Sequence, residues 1–153
     1  MCKLLLMLVG LCLVGQSYAY PCYITVVKDT CWLKYNVSVD AVDVSNGTLL
    51  TTLTMPKGTS WARQKIDCQG KQVVMFKSTY SPVFWEGDEG KLYAAKRYWS
   101  FPEKIEPGEA ALNMRVCFST DFAEVSLPPD ASGHCGCDMT SIPEIKSVKE
   151  SVN

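Results

Sequence analysis

The fold class this sequence predicts is all-β: an antiparallel β-sandwich or small barrel of about seven strands, stabilised by disulfides, with a loop-rich C-terminal segment. Three observations predict it. Apolar-polar alternations of period two recur along the chain, turn residues separate them at short intervals, and no stretch of about a dozen residues carries helical periodicity.

The elements follow in order. Tyr23 to Val27 reads as an opening strand. Leu33, Tyr35, Val37 and Val39 then alternate with Lys34, Asn36, Ser38 and Asp40, the pattern of a half-buried strand that runs to about Val44. Asn46-Gly47 offers the positive backbone angles of a tight hairpin turn into the β-rich run Leu49 to Met55. Pro56-Lys57-Gly58 ends that strand, and further runs lie at Ser60 to Cys68, Gln72 to Ser78, Leu92 to Trp99 and Ala111 to Phe118. Between Leu127 and Pro143 the sequence carries Pro128-Pro129, Gly133, Gly136 and two cysteines, which predicts a loop held down by disulfides; Ile142 to Val152 could add a frayed C-terminal turn.

A chain of 153 residues, 47% hydrophobic and 20% charged, has material for one core, and no linker, repeat or low-complexity tract divides it. The formal net charge of −1 gives no broad attraction for nucleic acid or anionic membrane. Lys3 followed by the apolar run Leu4 to Gly15 and by the small residues Ser17 and Ala19 reads as a signal peptide over 1–19, cleaved before Tyr20. That run is too short to span about 30 Å of hydrocarbon, so no membrane span is expected after cleavage. The domain is then 20–141, with 142–153 as a flexible tail. Export to a periplasm or the medium follows, with a bacterial source favoured by the short leader. Asn36-Val37-Ser38 and Asn46-Gly47-Thr48 match the glycan acceptor pattern, which bears on a eukaryotic source alone.

Cys2 and Cys12 leave with the leader, and Cys22, Cys31, Cys68, Cys117, Cys135 and Cys137 remain. In an oxidising compartment six cysteines imply up to three bridges, with fifteen possible pairings. A bond across Cys135-Gly136-Cys137 would close a strained ring, which leaves twelve. In the last strand Leu112, Met114, Val116 and Phe118 form the apolar face, so Cys117 points the other way, where it could pin a covering segment through Cys135 or Cys137.

Two segments could carry function. His134-Cys135-Gly136-Cys137-Asp138-Met139 gathers imidazole, thiolate, carboxylate and thioether, so His134, Cys135 and Cys137, with Met139, could hold Cu(I) or Zn(II), or the cysteines could exchange disulfides. The plainer reading is two structural half-cystines beside a polar histidine. His134 is the one histidine in the sequence, and no G-x-S-x-G, H-E-x-x-H, P-loop or G-x-G-x-x-G occurs. Carboxylates at Glu86, Asp88, Glu89, Glu103, Glu106 and Glu109 are too unspecific to indicate a glycosidase, and Gly87-Asp88-Glu89-Gly90 reads as an acidic turn.

The second segment is aromatic. Tyr80, Phe84, Trp85, Tyr93, Tyr98, Trp99 and Phe101 fall within residues 80 to 101, where an aromatic content of 10% would place about two. Of these, Tyr80, Phe84, Trp85, Tyr93, Tyr98 and Trp99 are candidates for a platform that grips a sugar ring or an extended peptide; filling the core is the competing use. Trp32 and Trp61 lie outside the segment and read as packing residues. An exported all-β chain with disulfides and the stretch Gly90-Lys91-Leu92-Tyr93 to Arg97-Tyr98-Trp99 resembles the small periplasmic lysozyme inhibitors, although the serine-glycine-tyrosine signature of that family is absent. The sequence thus points to a non-catalytic binding protein, needing no cofactor, for a protein, peptide or glycan. The alternative is a thiol-disulfide exchange protein or metal carrier.

Overall fold

The computed structural model describes residues 18–145. Eight strands form two sheets packed face to face: β1 (Ala19–Lys28), β2 (Asn36–Asp43), β3 (Leu49–Met55), β4 (Trp61–Gln69), β5 (Val73–Ser81), β6 (Tyr93–Ala94), β7 (Trp99–Ser100) and β8 (Leu112–Phe118). The first sheet has the order β4-β1-β8. The second runs β3-β2-β5-β6, with β7 also paired to β5. The all-β sandwich is therefore the architecture, and the leader assigned to 1–19 lies outside the described residues apart from Tyr18 and Ala19.

Alternation sets which side chains meet between the sheets. On β1, Tyr20, Cys22, Ile24 and Val26 are buried against Val37, Val39, Leu53, Met55, Val74 and Phe76 of the second sheet, while Met114, Val116 and Phe118 continue the same layer on β8. The outer face of the first sheet is covered too: Thr25 and Val27 are buried. The C-terminal segment lies over that face, with Ile142 5% exposed and the Arg63 guanidinium bonded to both Thr25 Oγ1 (2.9 Å) and the Pro143 carbonyl (2.8 Å). The packed body therefore extends past residue 141, where the sequence suggested a tail beginning.

Four further expectations are corrected. The sandwich is not wholly antiparallel: β1 and β8 pair in parallel, from Cys22 opposite Leu112 to Lys28 opposite Phe118. The second strand begins at Asn36 rather than Leu33, because a 3-10 turn at Thr30–Trp32 precedes it, capped by Asp29, whose Oδ1 accepts from the Cys31 amide at 2.9 Å. This turn buries Trp32 completely. The hairpin loop spans residues 44–48 instead of two residues. Asp43 accepts from the Ser45 amide and Asn46 from the Thr48 amide, each at 2.8 Å, and only Gly47 takes the left-handed conformation.

The run Leu92 to Trp99 breaks into β6 and β7. Between them the chain turns to the loop after β8: the Ala95 amide bonds the Phe76 carbonyl, the Lys96 amide bonds the Asp121 carbonyl, and Ala123 donates to Ala94. The later loop competes for the same backbone groups, so one continuous strand does not form.

Each of the six cysteines is bridged. Cys22–Cys68 joins neighbouring strands β1 and β4; Cys31–Cys135 joins the 3-10 turn to the C-terminal loop; Cys117–Cys137 joins the outer face of β8 to the same loop. The last is one of the two pairings that the strand-face pattern predicted, and the segment Leu127 to Pro143 is the disulfide-held loop expected of it.

Candidate binding surface

The aromatic segment divides between core and surface. Tyr80, the inward residue near the end of β5, stacks on Tyr93 of β6 on one side and on Phe84 on the other, with centroids 5.7 and 4.9 Å apart. Trp32 meets Tyr80 and Phe118 edge-on at 4.8 and 4.9 Å. Tyr80, Tyr93, Trp99 and Phe101 are all buried, so three of the six platform candidates, Tyr80, Tyr93 and Trp99, are core residues. Period-two burial in a thin sandwich claims the rings that strands point inward, whatever their density in sequence.

Trp85 and Tyr98 reach the surface, 44% and 60% exposed, and Phe84 is half-buried between the two environments. Tyr98 stands on the loop between β6 and β7, next to Arg97, which covers the ring of Trp99 at 4.6 Å. Trp85 is better held. Its ring meets Phe84 edge-on at 5.7 Å, and its indole N–H donates to the Leu127 carbonyl at 3.2 Å. Val83 and Leu127 are also exposed on the two segments that this bond joins. The second segment is anchored by Asp130, whose carboxylate accepts from Tyr35 Oη at 2.7 Å and Lys34 Nζ at 2.8 Å. Those donors hold the Asp130 carboxyl below the usual range, the lysine bond contributing most.

The loop carrying Trp85 closes in two successive turns, through bonds from the Asp88 amide to the Trp85 carbonyl and from the Lys91 amide to the Asp88 carbonyl. Asp88 points back to the core, where it accepts from Tyr80 Oη at 2.7 Å, with Lys91 Nζ at 3.6 Å. The tyrosine bond chiefly keeps the Asp88 carboxyl ionised to lower pH than usual, while burial, with Asp88 adding to it, pushes the Tyr80 phenol up. Glu86 and Glu89 remain exposed on the rim. The result is an exposed indole held against Phe84 and Leu127, with Val83 and Leu127 exposed on the two flanking segments and Glu86 and Glu89 exposed on the same loop as Trp85.

The other candidate segment is built differently. Cys135 is bonded to Cys31 and Cys137 to Cys117, so neither sulfur is a thiolate in this structure, and a metal or exchange site at His134, Cys135 and Cys137 would require two separate bridges to open. His134 is exposed; its carbonyl accepts from Thr30 Oγ1. Asp29, the carboxylate nearest the Cys31–Cys135 sulfurs, is fully engaged with the Cys31 amide and with the amide and hydroxyl of Ser119.

Sequence reasoning missed Lys28. It is 2% exposed, at the inward end of β1, and donates to the carbonyls of Tyr35 (2.8 Å), Met55 (3.3 Å) and Pro56 (2.8 Å). The signal was present: Cys22, Ile24, Val26 and Lys28 share one strand face. Burial pulls its pKa down from 10.5 to about 8.

No protein-family model matches the chain, no curated protein is significantly similar to it, and the resemblance to lysozyme inhibitors gains no support from these comparisons.

Proposed function

We propose that this chain is an exported, non-catalytic binding protein whose recognition surface is the end of the sandwich around Trp85. The observation that carries the reading is a large indole left 44% exposed although its ring and its N–H are both fixed, by Phe84 and by the Leu127 carbonyl. A flexible surface tryptophan would lose conformational freedom on binding; this one has already lost it, so burying its face in a partner costs less. Aromatic anchors of this kind dominate interface energetics.

The partner class best matched is a peptide or protein segment with an apolar side chain next to a basic one, because Val83, Trp85 and Leu127 offer apolar area and Glu86 and Glu89 sit beside them. A sugar platform would need several ring faces side by side, and Tyr80, Tyr93 and Trp99 have theirs covered. The three bridges support an oxidising compartment, and among the described residues no helix is long and apolar enough to cross a membrane.

A displayed library of random peptides, selected on the wild-type protein and counter-selected on Trp85→Ala, tests this. We expect enriched sequences pairing an apolar with a basic residue, whose affinity falls at least tenfold on Trp85→Ala. Enrichment of nothing, or of peptides indifferent to Trp85, would sink the proposal.

A further inference from the structure

Strand β8 is the edge of the first sheet, and two of its three outward-facing residues have unpaired backbone groups among the described residues. In a strand the N–H and C=O of one residue point to the same side, and successive residues alternate. Phe118 faces β1, since its carbonyl accepts from the Asp29 amide at 2.6 Å. Cys117 faces outward, and Asp121 satisfies it there: the Asp121 carboxylate accepts from the Cys117 amide at 2.7 Å and the Asp121 amide donates to the Cys117 carbonyl at 2.9 Å. The same alternation turns the N–H and C=O of Asn113 and Arg115 outward. No hydrogen bond among the described residues engages those four groups.

A cleft of about 320 Å³ adjoins this stretch of β8, lined by Glu109, Ala110, Asn113, Arg115, Glu144 and Ile145. The far wall is thus part of the C-terminal segment that Cys117–Cys137 and the Arg63–Pro143 bond hold over the outer face. Arg115, Glu109 and Glu144 form no ion pair among the described residues. The two carboxylates outnumber the one guanidinium, so the cleft carries a net negative charge.

From these features we propose that the β8 edge at Asn113 and Arg115 is a peptide-binding site that takes an extended segment as an added strand, with a lysine or arginine side chain seated between Glu109 and Glu144. Main-chain bonds to the four outward groups give the affinity, and the acidic cleft selects the side chain. Asp121 ends the site at Cys117 by occupying the next pair of backbone groups. The site is separate from the Trp85 surface and does not depend on it.

The test uses the full chain, isotope-labelled, with an acetylated heptapeptide of alternating lysine and valine. We expect amide exchange at Asn113 and Arg115 to slow at least tenfold while exchange at Gly87 and Glu89, beside Trp85, is unchanged. The Glu109→Lys, Glu144→Lys double variant should abolish the effect, and the same peptide N-methylated on alternate residues should fail to produce it on at least one methylation register. Four results would overturn the proposal: no slowing; equal slowing by a glutamate-valine peptide; protection already present in the free protein with contacts to residues 146–153, which would make the chain's own end the occupant; or protection that rises with protein concentration in the absence of peptide, which would make a second copy the occupant.

Discussion

The Lys28 ammonium crosses the sandwich to donate to the Pro56 carbonyl at 2.8 Å, tying the end of β1 in one sheet to the end of β3 in the other. With the Tyr35 and Met55 carbonyls it forms a three-point clasp in a buried place. Lys28→Met keeps the volume and strands three carbonyls, while sparing the cost of burying a charge. The unpaired carbonyls outweigh that saving, and we expect a net loss of about 2 kcal/mol at pH 7 in chemical denaturation. Because the folded pKa is about 8 and the unfolded value 10.5, the unfolded chain holds more protons above pH 8. Stability from this group therefore rises with pH in that window. The gap between wild type and Lys28→Met should widen from pH 7.5 to 9.5, and a constant gap would contradict the buried ammonium.

Trp85 and Trp99 were equivalent in the sequence and are opposites in the fold. Trp99 is 8% exposed and meets Phe76 edge-on at 4.8 Å, so Trp99→Ala should cost about 3 to 5 kcal/mol. Trp85→Ala should change stability by less than about 1 kcal/mol, because its ring already faces solvent in part and loses one main-chain bond. Thermal melts of the two variants separate these outcomes.

The two bridges to the C-terminal loop should be unequal. Cys31–Cys135 spans 104 residues and Cys117–Cys137 spans 20. Removing the first by paired serine substitution should cost about 5 kcal/mol and the second about 3, by the chain-entropy argument. Removing the second should also raise amide exchange at Ile142, since that bridge holds the segment covering Val27. Intact mass after alkylation without reductant should show no free thiol in the mature wild type.

Asp88 gives an acid-side signature. Its carboxyl, held low mainly by the Tyr80 hydroxyl, contributes stability that is fully present above the ordinary value of 3.8 and is lost as pH falls through its lower folded value. Asp88→Asn should therefore be less stable than wild type at pH 5, and the difference should shrink below pH 3.5. Denaturant midpoints across that range decide it.

Much of the fold was legible because burial in a sandwich acts at period two. Val37 and Val39, or Met114 and Val116, announce their face within a few residues, and the same reasoning put Cys117 on the outer face beside its eventual partner. What escaped the sequence depends on distant partners. Leu33 continues the strand pattern locally, yet Asp29 caps a turn that removes it from β2. The break in the run Leu92 to Trp99 comes from Asp121 and Ala123, which belong to a later loop. The candidate surface was half visible: aromatic density marked the region, but Trp85 differs from Tyr80 and Tyr93 through its bond to Leu127, about forty residues away. The β8 edge could not be read at all, because a period-two pattern does not say which strand has a neighbour on only one side.

The parallel pairing of β1 with β8 joins the first strand of the chain to the last. A growing polypeptide exposes β1 first and can pair it with β4 early, but its other edge stays open until residue 118 has emerged. Loop-closure entropy over that span makes the step slow. For most of its synthesis the molecule carries β1 with one edge unpaired, so the interval before the last strand arrives is when this protein is most exposed to pairing with the wrong chain.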